Sequence, residues 1–205
     1  MQVRELIWAF PPKRGADDLT SWWLDLGTGP VLIDCPEITT EFLAQLKVLS
    51  KGRKASILLT SKYSHENARK LHEALGWPLL VQEQEAYLLP GLKGLKSFGE
   101  EYRTNSGLEL LWTPGPTPGS CVVYAPAPLN VLFCGRLLIP VSTSKLAPLG
   151  KSKTFHWTTQ ERSLFKLREW LPSDALPLLA SGLGFYSLGK DKLLQWDAWE
   201  PLAKS

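Results

Sequence analysis

The run Thr113-Pro114-Gly115-Pro116-Thr117-Pro118-Gly119-Ser120 sets proline, glycine and hydroxyl residues between two apolar segments, 108–112 and 120–125. Proline and glycine at this density mark a loop. Its flanks, with a further apolar segment at 131–134, read as three strands. Toward the carboxyl terminus, Thr158, Thr159 and Glu161 supply a capping-box start for a helix that reaches Trp170 and stops at Pro172. Residues 175–180 read as a last strand and 191–199 as a final short helix.

The half that precedes the loop shows the same change of period. Residues 3–10, 21–26 and 31–35 read as strands, the last two joined as a hairpin by a Gly-Thr-Gly-Pro turn. Thr39 or Thr40 then caps a helix whose Phe42, Leu43, Leu46 and Leu49 share one face. Residues 56–60 form a short buried strand. Ser64 caps a second helix, with Ala68, Leu71, His72 and Leu75 on one side and a stop at Gly76. Residues 79–82 are another strand, and 87–103, with Pro90, Gly91, Gly94 and Gly99, are expected to be irregular. Two sets of strands, each followed by helices, imply an α/β (α+β) protein. The expected form is a four-layer αβ/βα sandwich of two mixed sheets flanked by helices, in a single domain over 1–205.

Composition narrows the classes. At 205 residues, 44% hydrophobic and 21% charged, the chain can bury a real core. A net charge of +3 is too small for a dedicated nucleic-acid binder. The cluster Lys47, Lys51, Arg53, Lys54 reads as a solvated face. The nine tryptophans are scattered, which favours packing over one aromatic binding strip, and is compatible with a homodimer. Cys35, Cys121 and Cys134, an odd set without a CxxC pair, read as buried reduced thiols. No run approaches membrane-spanning length, so a cytoplasmic protein is expected.

Five segments, in order, resemble the metallo-β-lactamase superfamily, the glyoxalase II-like hydrolases. Val31-Leu32-Ile33-Asp34-Cys35 is similar to the family's early Leu-Ile-Asp strand. Ile57-Leu58-Leu59-Thr60 is similar to the strand that leads into Thr-His-x-His-x-Asp-His. The 113–120 loop resembles Pro-Gly-His-Thr-Pro-Gly-Ser, the most specific of the five. Val131-Leu132-Phe133-Cys134-Gly135-Arg136 resembles Leu-Phe-x-Gly-Asp, and Ser181-Gly182-Leu183-Gly184 stands where the family has Gly-His-Gly. The resemblance runs from about Val3 to Gly184 and implies a hydrolase with two metal ions held by imidazoles and carboxylates.

Carried over position by position, those ligands are gone. The first two histidines become Ser61 and Tyr63. The motif aspartate becomes His65 and the last histidine Glu66. The loop histidine becomes Pro116, the bridging aspartate Arg136, and the late histidine Leu183. A permanent guanidinium repels a cation, so no metal or other cofactor is expected. Asp34, Ser61, Tyr63, His65, Glu66, Pro116, Arg136 and Leu183 are then the lining of a vestigial pocket. Without a metal-activated hydroxide the family's hydrolysis is lost. The chain is expected to be a binding or scaffold protein for a small molecule or protein, with neither a nucleic acid nor a membrane as partner. The alternative is a hydrolase with a metal-free or mononuclear mechanism that uses His65, Glu66 and Tyr63 as weak catalytic candidates beside Arg136. Arg136 is expected to pair with Asp34 or Glu66 in the old metal cavity. Ser120 lacks the second glycine of a nucleophile elbow. The loops 87–103 and 139–157, the latter with Ser142, Thr143, Ser144, Lys145, Lys151 and Lys153, would frame the mouth.

Overall fold

The computed structural model describes residues 1–13 and 19–199; residues 14–18 and 200–205, which the single-domain reading also spans, lie outside it. Seven strands lie side by side in chain order: β1 (Gln2–Arg4), β2 (Ile7–Phe10), β3 (Ser21–Leu24), β4 (Val31–Ile33), β5 (Ser56–Leu58), β6 (Leu79–Gln82) and β7 (Leu95–Phe98). β1 to β4 are antiparallel neighbours, and β4 to β7 are parallel. Parallel neighbours need a crossover. α1 (Thr40–Ser50) supplies it between β4 and β5, and α2 (His65–Leu75) between β5 and β6. The short α3 (Glu83–Ala86) follows β6.

The second sheet is a meander of β8 (Glu101–Arg103), β9 (Glu109–Trp112), β10 (Cys121–Ala125) and β11 (Val131–Phe133). A separate small hairpin, β12 (Leu138–Pro140) and β13 (Leu146–Pro148), follows it. The chain then runs through α4 (Trp157–Trp170) and adds β14 (Leu178–Ala180) parallel to β11.

The side-chain period of two divides each sheet between two cores. Trp22 and Trp23 show it directly. Trp22 points inward onto Phe133 of the other sheet, ring centroids 5.7 Å apart, while Trp23 points outward toward Trp77 at 5.9 Å. The inner core joins Ile7, Trp22, Ile33 and Leu58 to Leu110, Val123 and Phe133. A second packs Trp23, Leu32 and Ile57 under Phe42 and Leu46 of α1 and Ala68 and Leu71 of α2. A third packs Val122, Leu132 and Leu179 under Leu164 and Leu167 of α4. Three cores between helices, sheet, sheet and helix make the expected four-layer sandwich of two mixed sheets.

Local signals succeed where a cap or an apolar stripe carries them. Thr39 Oγ1 accepts the Phe42 amide proton at 3.1 Å, and α2 ends at Gly76 in the left-handed region, φ 65. Thr39→Ala should cost about 1 kcal/mol, the usual loss for an N-cap hydroxyl. A urea midpoint unchanged from wild type at equal m-value would show that the cap contributes nothing.

Elsewhere the structure corrects the reading. Residues 3–10 are two strands, because the chain turns at Glu5 and Leu6, with Leu6 at φ 65. The 87–103 segment holds β7 and β8, the edges of the two sheets, whose glycines lie in the turns around them. α4 begins one turn's cap earlier than expected: His156 Nδ1, not Thr158 or Thr159, accepts the Thr159 amide at 3.2 Å. Residues 191–199 hold only the short turn Trp196–Ala198, since Leu194 is taken up in a bridge to Leu179.

Candidate functional site

β4 and β5 are parallel, so their carboxyl ends bring Asp34 and Thr60 to the same end of the sandwich. Asp34 sits in the left-handed region, φ 58, and is fully buried. Its carboxylate accepts the Thr60 amide at 2.9 Å, the Thr60 hydroxyl at 2.5 Å and the Ser64 hydroxyl at 3.1 Å. Burial pushes its pKa up to about 6; the Thr60 and Ser64 donors pull it down, and the Glu85 charge adds to the rise. Ser64 was expected to cap α2; its hydroxyl serves Asp34 instead, and it makes no side-chain cap. The Thr60 carbonyl then accepts the Cys121 amide at 3.0 Å, which ties this corner to the second sheet.

The four residues that the resemblance sets against the metal motif diverge. Ser61 is buried, and its hydroxyl has no hydrogen-bond partner. Tyr63 is 53% exposed. His65 at the start of α2 is buried rather than solvent-facing, and neither ring nitrogen has a partner. Burial, with Lys62 nearby, lowers its pKa to about 4. Glu66 points to solvent and pairs with Lys70 at 2.6 Å, which holds its carboxyl below the usual range.

Arg136 does not pair as expected. Asp34 is held by Thr60 and Ser64, and Glu66 by Lys70. The guanidinium lies instead over the Tyr63 ring, 4.1 Å from its centroid, a cation–π contact. Pro116 is buried, and its carbonyl accepts the Phe155 amide at 3.4 Å. Leu183 is half-buried and lines a cleft of about 340 Å³ together with Arg136, Ile139, Pro140, Lys153 and Phe185. The structure thus brings Arg136 and Leu183 to one cleft. It seals Asp34, Ser61 and His65 inside, and turns Glu66 away. β12 and β13 give the 139–157 segment a framework that its polar composition concealed.

Two buried residues escaped the sequence reading. In sequence, Thr60 shows only as the end of a strand. Glu85 is buried, and its Oε1 accepts the Gly119 amide at 3.0 Å. Nothing in Gln82-Glu83-Gln84-Glu85-Ala86 sets this glutamate apart from a solvated one. The signal lay in its partner: a Cβ on Gly119 would come within 2.6 Å of Glu85 Cγ, so the second glycine of the loop is a close approach. Ser120, buried, gives its oxygen to the Thr117 amide at 2.9 Å and shares a hydrogen bond with the Thr117 hydroxyl at 2.7 Å. All three cysteines are buried thiols outside any disulfide.

The resemblance implies two metal ions, and the donors present do not suit them. Among the described residues no three His, Cys, Asp or Glu groups converge on one point. At the bridging position stands a guanidinium, which has no lone pair to give a cation.

No protein-family model matches the sequence, and no curated protein matches it. Solved structures do match in shape. One is TTHA1623 in a di-iron-bound form, with 24% identity and a TM-score of 0.67 over 85% of this chain and 92% of that one. A metallo-β-lactamase from Pontibacter korlensis shares 20% identity with a TM-score of 0.68 over 90% of each chain. An archaeal metallo-β-lactamase superfamily protein, ST1585 from Sulfolobus tokodaii, shares 15% with a TM-score of 0.64 over 94% of this chain and 82% of that one. At these identities the likeness is one of fold.

Proposed function

We propose that this chain, whose fold is that of the metallo-β-lactamases, is a non-hydrolytic binding or scaffold protein. Its contact surface is the mouth cleft beside Arg136, and its partner is a small molecule or protein that presents an anionic group there. The inverted charge of the cavity carries this reading. A guanidinium stacked on Tyr63 at 4.1 Å stands where a bridging carboxylate would be needed, and the cleft it lines also holds Lys153. Guanidinium and ammonium groups on apolar walls suit an anion and repel a divalent cation.

The alternative, a hydrolase working through His65, Glu66 and Tyr63, finds less support. Glu66 is committed to Lys70, and His65 has no carboxylate to orient it. The buried thiols suit a reducing compartment, and we place the chain in the cytoplasm on that ground. No helix among the described residues is long and apolar enough to cross a membrane.

The test is metal analysis and turnover on the same preparation, purified without a chelating column and dialysed. We expect zinc and iron far below one per chain, and no hydrolysis of a generic thioester or phosphodiester above background. Stoichiometric metal that survives dialysis, or turnover that disappears in His65→Ala, would overturn the reading.

A further inference from the structure

The parallel strands have a second end. Where β4, β5 and β6 begin, opposite the Asp34 corner, the two sheets part around a cleft of about 270 Å³. Its floor is apolar. Val31, Leu58 and Leu80 belong to the inner core, and Tyr102 of β8 packs against the same core from the facing sheet. Its rim is cationic and hydroxylic: Lys54 and Lys96 on one side, Thr104 and Ser106 on the other, with their oxygens 2.8 Å apart.

The placement of Lys96 is unusual for a core-facing position. It is paired in register with Leu80, and Phe98, two residues on, is part of the inner core. The period of two therefore puts Lys96 on the inward face of β7. Lys54 ends the basic run 51–54, and the run is divided. Lys51 and Arg53 both pair with Asp25. Lys54 and Lys96 enter no ion pair among the described residues. No described carboxylate lines the cleft. Uncompensated ammonium groups over an apolar floor complement a ligand that is apolar at one end and negative at the other. The volume suits something smaller than a drug-sized molecule.

We infer that this cleft between the strand beginnings is a second ligand site, which takes a small organic monocarboxylate. Its apolar body rests on Leu58 and Leu80, and its charge meets Lys54 and Lys96. The site lies at the other end of the sheet from Arg136 and does not depend on what the mouth binds. An inward lysine on an edge strand can also serve only to block edge-to-edge pairing, and the experiment separates the two roles.

The full chain is titrated calorimetrically with hexanoate, with hexanol and inorganic phosphate as controls. Saturable hexanoate binding that neither control reproduces is expected. Lys54→Ala and Lys96→Ala, both at exposed positions, should each weaken it about tenfold, the loss of one charge-assisted contact. Arg136→Ala should leave it unchanged. The inference fails if hexanoate does not saturate, if hexanol binds as well, or if both lysine variants keep wild-type affinity. Loss of binding in Arg136→Ala would place the ligand at the mouth and overturn it too. Aggregation of Lys96→Ala with unaltered hexanoate affinity would make Lys96 an edge guard alone and would overturn the site as assigned.

Discussion

Gly182→Ala should lower stability by about 3 kcal/mol or more, a large fraction of what a domain of this size has to lose. A Cβ at Gly182 would lie 2.6 Å from the Gly135 carbonyl oxygen and 2.9 Å from its carbon. Both are backbone atoms, so no rotamer change relieves the contact. The Gly182 amide donates to that same Gly135 oxygen at 2.8 Å, and its carbonyl accepts the Thr20 amide at 2.7 Å. Separating the backbones thus strains two buried hydrogen bonds along with the packing. Gly135 leans in turn on Thr60, whose Oγ1 would be 2.7 Å from a Cβ there. Thr60 holds Asp34. The ends of β14, β11 and β5 are therefore packed through a line of close approaches that ends at the buried carboxylate. Gly150→Ala is the control. Gly150 has φ −59 and nothing within 4 Å of its Cβ position, so its change should stay within about 0.5 kcal/mol. Equal thermal midpoints for the two variants would show that the backbone contact at Gly182 relaxes freely.

The same line shows what the sequence could and could not disclose. Gly115, Gly119, Gly135 and Gly182 all lie in segments that the motif comparison picked out, and each faces a neighbour closer than a Cβ allows. Motifs of this kind can be read without any ligand in them, because glycine at a close approach is demanded by packing, not by chemistry. The layers were legible for a related reason: Trp22-Trp23 and the apolar faces of α1 and α2 state which side is buried. The site was legible as a set of positions but not as a geometry. Whether Arg136 meets Asp34 depends on which donors reach that carboxylate first, and Thr60 and Ser64 do so from the segment just beyond β5. His65 looks like any residue at a helix start until α2 is laid on the sheet and its ring is sealed in. Edge strands such as β7 and β8 hid behind Pro90, Gly91 and Gly94, since composition reports the turns and not the backbone pairing between them.

Folding shifts Asp34 and His65 in opposite directions, which leads to a second large effect. The folded state raises Asp34 from its ordinary 3.8 to about 6. Between those values the native chain keeps a proton that the unfolded chain has lost, so Asp34 makes the fold more stable as pH falls through that window. The folded state lowers His65 from 6.5 to about 4. There the unfolded chain takes up a proton that the native ring refuses, so His65 makes the fold less stable over nearly the same window. At about 1.4 kcal/mol for each pH unit, each group is worth about 3 kcal/mol, with opposite sign. Stability of the wild type should therefore change little on their account between pH 6.5 and 4. His65→Leu removes one side of the balance. It also removes two buried ring nitrogens that have no partner, which should add about 1 kcal/mol or more at neutral pH. Its urea midpoint should then rise by a further amount of about 2–3 kcal/mol, expressed as free energy, as the pH is taken from 7 to 4.5. Asp34→Asn should show the reverse slope, losing stability on acidification, below a lower starting point because the amide places a donor where Thr60 and Ser64 also donate. A His65→Leu profile that runs parallel to the wild type would mean that the imidazole titrates as it does in water. The α2 start would then have to open to solvent, and the sealed corner described for Asp34, Ser61 and His65 would be wrong.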